Sequence, residues 1–186
     1  MSITHAIRTD CGKQIGFGHL KRCLTLADAI RERKGVPKII LGQADGDTVS
    51  LVRNSKHIWS QLNQADQFDL RSITGEAKMI ILDLSHRQML PRAQSVAQLL
   101  RQARKSDTKT LLIDSQGPEC LSASSQMEAD ALVIPYVGGE EQITLPGPKI
   151  HAKGVKFFVI NPDFTQINTG KRTFPNIANQ LLITAG

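Results

Sequence analysis

His19 sits in the run Ile15-Gly16-Phe17-Gly18-His19-Leu20-Lys21-Arg22-Cys23. Imidazole titrates nearest neutrality among side chains, so general-base work is the first chemistry to consider for it. Gly16 and Gly18 lack Cβ atoms where the backbone must turn and where a ligand would approach closely. If a helix starts here, its first N–H groups can receive a phosphate or a developing anion. The positive end of the helix dipole, with Lys21 and Arg22 beside it, suits an imidazole that works uncharged. The alternative is a tight strand-to-helix turn with a surface histidine capping it. The spacing is not the dinucleotide fingerprint, because Lys21 holds the third glycine position. It is not a Walker loop, because no Gly-Lys-Ser/Thr follows.

Three further carboxylates lie at places where apolar runs end: Asp10, Asp83 and Asp114. Asp10, with Arg8, could orient the histidine, bind a polar substrate or cap neighbouring N–H groups. Asp83 and Asp114 could bind sugar hydroxyls or cap the next helix. His86 lies near the same edge. No Gly-x-Ser-x-Gly elbow is present, so a hydrolase triad has no support. Cys11, Cys23 and Cys120 are odd in number and widely spaced, with no Cys-x-x-Cys, so neither a disulfide framework nor a zinc site is signalled. Cys23 fits the apolar face of a helix.

These residues need elements to position them. His5–Thr9 precedes the glycine loop as a strand. Leu20, Cys23, Leu24, Ala27 and Ile30 follow the i, i+3, i+4, i+7 rhythm of an amphipathic helix, with Gly35 as its stop. Residues 38–42 read as a strand and 47–63 as a helix with Asp47 at its N-cap. Residues 78–84 and 109–115 are apolar runs ending in Asp83 and just before Ser115. Pro91 can open a helix whose Ala93, Val96, Ala97, Leu100 and Ala103 share a face. Residues 129–136, 156–160 and 180–185 complete the expected strands; 138–155 and 161–179 read as loops. Strands alternating with helices predict an α/β fold with a doubly wound, mostly parallel sheet. The uninterrupted apolar runs fit strands buried on both faces. In such a sheet a ligand lies outside the carboxyl ends of the strands, where Arg8-Thr9-Asp10, the glycine loop, Asp83 and Asp114 all fall.

The chain has 186 residues, 23 Lys and Arg against 17 Asp and Glu, and a net charge of +6. That excess suits an anionic partner. The basic residues are scattered rather than blocked, and aromatics are only 4%, which argues against nucleic acid. No run of apolar residues is long enough for a membrane span, and the start lacks a signal-peptide pattern, so a cytoplasmic location without membrane contact is expected. The last residues, Leu181-Leu182-Ile183-Thr184-Ala185-Gly186, stop in mid-strand by pattern.

The segment from Arg8-Thr9-Asp10 through Gly16-Phe17-Gly18-His19-Leu20-Lys21-Arg22-Cys23-Leu24-Thr25-Leu26-Ala27 resembles the opening signature of a family. That family is the UDP-sugar hydrolases of pseudaminic-acid biosynthesis with the related spore-coat polysaccharide proteins. Its pattern is Arg-x-Asp, a spacer, then Gly-x-Gly-His-x-x-Arg-Cys-x-x-Leu-Ala. A second block, Gly154-Val155-Lys156-Phe157-Phe158-Val159-Ile160-Asn161-Pro162-Asp163-Phe164, is similar to the family's Gly-Pro-x-Tyr-x-x-Leu-Arg-Pro-Glu-Phe. The resemblance implies a Rossmann-like domain over 1–164, and a linker and first strand over 165–186. These would form one half of a glycosyltransferase-B-like pair, completed by a second nucleotide-binding domain in cis or by a partner chain. It implies hydrolysis of a UDP-diacetamido-trideoxyhexose with His19 as general base on water, and no metal or cofactor. Arg8, Asp10, Gly16, Phe17, Gly18, Arg22, Asp83 and Asp114 would bind substrate or phosphate. A glycosyltransferase of the same fold and a non-catalytic nucleotide-sugar-binding module are the alternatives. The chain departs from the family at Asp83-Leu84-Ser85, Asp114-Ser115, Phe157 and Asn161, so several substrate contacts differ.

Overall fold

The computed structural model describes residues 3–64, 67–74, 77–85, 89–113, 128–141 and 147–165. Seven strands form one parallel sheet: β1 (His5–Thr9), β2 (Pro37–Leu41), β3 (Ile58–Gln61), β4 (Met79–Asp83), β5 (Lys109–Ile113), β6 (Ala131–Ile134) and β7 (Ile150–Lys153). Their order is β3-β2-β1-β4-β5-β6-β7. The principal helices are α1 (Gly18–Glu32), α2 (Gly46–Asn54), α3 (Leu70–Thr74) and α4 (Ala93–Lys105). A short α5 spans Pro162–Thr165. This is the expected doubly wound, Rossmann-like α/β fold.

Two apolar layers sandwich the sheet because successive strand residues face opposite sides. On one side Ala6, Ile80, Leu82 and Leu112 meet Val96, Leu99, Leu100 and Ala103 of α4. On the other, Ile7, Ile39, Leu41 and Ile81 meet Leu20, Cys23 and Ala27 of α1. Burial on both faces explains why these strands read as continuous apolar runs. The order reverses between β1 and β4, whose neighbours in sequence lie on opposite sides of them. Thr9 faces Asp83 across that junction, so these two residues mark the switch point at which such sheets place their ligands.

Three local expectations are corrected. The helix expected over 47–63 ends at Asn54; Lys56 turns with φ of 61°, and Ile58–Gln61 pairs with β2. Its cap is Asp45, not Asp47: Asp45 Oδ1 accepts from the Thr48 N–H at 2.9 Å. The seventh strand is Ile150–Lys153, inside a stretch read as loop, whereas 156–160 is a 3₁₀ turn followed by extended chain. An edge strand with half-open faces needs no continuous apolar run, so periodicity passed over it. α1 stops just before Gly35, whose N–H donates to Ile30 O at 2.9 Å, and the left-handed residue of this end is Lys34 (φ 65°). Gly35 is needed for space, since a Cβ there would lie 2.5 Å from Ile30 Cγ2. The strand expected over 180–185 lies outside the described residues, as do Asp114, His86 and Cys120. Among the described residues no helix is long and apolar enough to cross a membrane.

Candidate functional site

The site is built where β1 and β4 end. After β1 the chain turns through Gly12 and Gly16. The Gly16 N–H donates to Gly12 O at 2.7 Å, and Gly16 has φ of 89°, a conformation that favours glycine. The Lys13 N–H donates to Asp45 Oδ2 at 3.0 Å, so the carboxylate that caps α2 also pins this loop. Phe17 packs against the core on the α1 side and stands at the N-cap of α1 without a side-chain cap hydrogen bond. No acidic residue occupies the first turn. That leaves the leading N–H groups of a 15-residue helix without a carboxylate competitor for an anion.

α1 then presents His19, Arg22 and Cys23, the i, i+3, i+4 stripe that faces inward, to one carboxylate. Asp83 is fully buried. His19 Nδ1 lies 2.8 Å from its Oδ1. Arg22 Nε donates to Oδ2 at 2.6 Å, and Arg22 Nη2 donates to Oδ1. The Cys23 thiol donates to Oδ2 at 3.5 Å. Burial alone would raise the Asp83 carboxyl. The hydrogen bonds from His19 and Arg22, with the guanidinium charge, outweigh it and hold Asp83 below the usual carboxylate range. Burial, with Asp83 alongside, pushes the Cys23 thiol well up, so it is an inert thiol here.

An ionised buried carboxylate has only lone pairs to offer, so we assign the proton to His19 Nδ1. Nε2 is then the acceptor. The 3.1 Å approach of Arg22 Nη2 to Nδ1 is a contact between two donors that share Oδ1. Asp83 thus fixes both the ring orientation and the tautomer, the role a carboxylate plays behind a histidine base.

A second buried cluster lies one residue past the end of β1. Asp10 Oδ1 accepts from Arg8 Nη1 at 2.6 Å and from the Gln43 N–H at 2.7 Å. Its Oδ2 accepts from Arg92 Nη1 at 2.7 Å. Arg8 is fully buried, with its guanidinium 5.2 Å from the centre of the Phe68 ring. Gly42 makes room for the pair: a Cβ there would overlap the Arg8 guanidinium and come within 2.5 Å of Asp10 Oδ1.

The two clusters cross. α1 follows β1 but reaches the carboxylate ending β4, while Arg92 follows β4 but reaches the carboxylate after β1. The switch point is therefore strapped from both sides. Sequence reasoning overlooked Arg92 and Gly42; the only signal for Arg92 was a basic residue next to the Pro91 helix start.

Of the expected substrate contacts, Arg8, Asp10 and Asp83 carry no accessible surface. Both oxygens of each carboxylate are occupied by protein donors. In this structure these three hold other groups in place. Arg22, expected at a phosphate, spends Nε and Nη2 on Asp83. Gly16, Gly18 and His19 remain at the open edge. Among the described residues no three His, Cys, Asp or Glu side chains converge as metal ligands.

A groove of about 870 Å³ opens beside this edge. One wall is α1, from Gly18 and His19 to Asp28; the other is the segment Phe158–Phe164, with Leu51 of α2 adding to the lining. No family model and no curated protein matches the chain.

Proposed function

We propose that this fold is the base-bearing wall of a site that cleaves a nucleoside-diphosphate sugar, with water as acceptor. The observation that carries the reading is the buried Asp83 carboxylate paired with the part-buried His19 at the uncapped start of α1, beside the switch point. His19 Nε2 takes a proton from water as the water oxygen bonds to the anomeric carbon. The bond from that carbon to the diphosphate oxygen breaks, and its electrons stay with the diphosphate. The leading N–H groups of α1, helped by the Lys21 charge, stabilise the leaving anion. Arg22 and Asp83 hold the imidazole, and Arg8, Asp10 and Arg92 hold the loop that delivers it.

The resemblance of residues 8–27 to the UDP-sugar hydrolase signature supports the same reading. On that basis uridine would be gripped by a second wall, a further α/β domain or a partner chain. The test is UDP release from a UDP-N-acetylhexosamine, followed by phosphorus NMR over long incubations. His19→Ala is expected to slow release about 10²–10⁴-fold. Release at an undiminished rate in that variant overturns the assignment.

A further inference from the structure

We propose that the groove between α1 and Phe158–Phe164 is a second subsite that holds an uncharged glycan of more than one ring. This rests on His19 being the base, because the groove begins at that residue. Gly18 and Asp28 both line it, and ten residues of helix span about 15 Å, longer than one hexose. The two walls differ in kind. The helical wall presents Lys21, Thr25 and Asp28, one polar stripe at helical spacing. The facing wall presents Phe158, Ile160 and Phe164, which are 52%, 50% and 67% exposed. A sugar chain has both surfaces: hydroxyls around each ring edge and C–H groups on each face. The hydroxyls meet Thr25 and Asp28, and the ring faces lie on the phenylalanines.

Charge decides against the other ligands of this size. Asp28 and Asp163 both line the groove with Lys21 and Arg22; Arg22 is engaged with Asp83 and Asp28 with Arg31, so the lining offers no excess positive charge to an anionic nucleotide. A purely apolar chain would strip water from Lys21, Thr25 and Asp28 without returning hydrogen bonds. A neutral polyol avoids both costs. The anion-receptive part of the site is confined to the start of α1, and the groove leads away from it.

The test uses the full 186-residue chain, isotopically labelled, with amide spectra recorded during titration. Maltotriose and triacetylchitotriose are the glycan probes; UMP, octanoate and an uncharged tripeptide are the comparison arms. At least one trisaccharide is expected to shift the Thr25, Asp28 and Phe158–Phe164 amides with a millimolar Kd. Phe158→Ser with Phe164→Ser should weaken that binding about tenfold or more. Both side chains are exposed, so Tm should hold; Thr25→Val is a second, smaller perturbation that should also weaken it. Silence with both trisaccharides overturns the proposal. So does a response of the same amides to UMP, octanoate or the tripeptide in their place. UDP release is read separately. If glycans bind but release ignores His19, the base assignment fails alone; if release depends on His19 but no glycan binds, the groove assignment fails alone.

Discussion

At the scale of single residues, the chemistry depends on one carboxylate. Asp83 receives donors from three positions of α1, and no water reaches it. Asp83→Asn would replace an oxygen acceptor by an amide donor facing Arg22 and His19. Breaking one side of a buried ion pair costs about 3–5 kcal/mol, so the variant should unfold at clearly lower denaturant. It should also lose the His19 tautomer preference, which nitrogen-15 NMR of labelled histidine reads directly. An Asp83→Asn protein with the Nδ1–H form intact would show that the tautomer is set elsewhere. The i, i+3, i+4 spacing of His19, Arg22 and Cys23 was legible, since one helical face is a property of sequence. That Asp83 is their shared partner was not, because 60 or more residues separate them and only the register of β1 against β4 brings them together.

At the scale of elements, two details set where the glycine loop and α1 sit. Asp45 caps α2 and holds Lys13 with its other oxygen. Hydrogen bonds from Thr48 and from the Lys13 N–H hold its carboxyl below the usual range. Asp45→Ala should lower Tm by a few degrees and also slow UDP release, because it frees the loop before His19. A Tm loss with release unchanged would limit Asp45 to capping. At the far end of α1, Lys34 adopts a left-handed conformation that glycine accepts without strain. Lys34→Gly should therefore be neutral or stabilising by up to about 1 kcal/mol. Gly35→Ala should be destabilising, because its Cβ would press on Ile30. Chemical denaturation of the two variants gives opposite signs if this assignment of the two positions holds.

At the scale of the whole molecule, the sheet carries the pH response. Burial lowers His5, His57 and His151 from the ordinary imidazole value. For each, the unfolded chain binds a proton more readily than the folded one. Their contribution to stability is complete above about pH 6.5 and is lost as pH falls through the lowered folded values. Asp83 adds a second window. Its folded value is depressed, so its contribution is present above about pH 4 and is lost as pH falls further. Tm should be level near pH 7, decline below it, and fall again in stronger acid. The lower step should be smaller in Asp83→Asn, where the depressed carboxyls of Asp45, Asp69 and Asp107 supply what remains. A Tm that rises on mild acidification would contradict the first window. The core itself is tested at Leu99, fully buried on the inner face of α4, where Leu99→Ala should cost about 2–5 kcal/mol.

Sequence by itself determined the class of fold, because apolar runs that alternate with amphipathic helices can bury their surface only as a two-sided parallel sheet. It also placed His19 on a helix start after glycine turns, and Arg8, Asp10 and Asp83 at strand ends. It misplaced the strands with mixed composition: β3 was absorbed into a helix and β7 into a loop, since edge strands lack the apolar signal of buried ones. Tertiary structure alone decided what each charged group does. Expected substrate contacts Arg8, Asp10 and Asp83 are buried in the interior, and Arg92 joins them from beyond β4. Burial is a property of packed layers, and a buried carboxylate must take its donors from whichever elements the topology sets beside it.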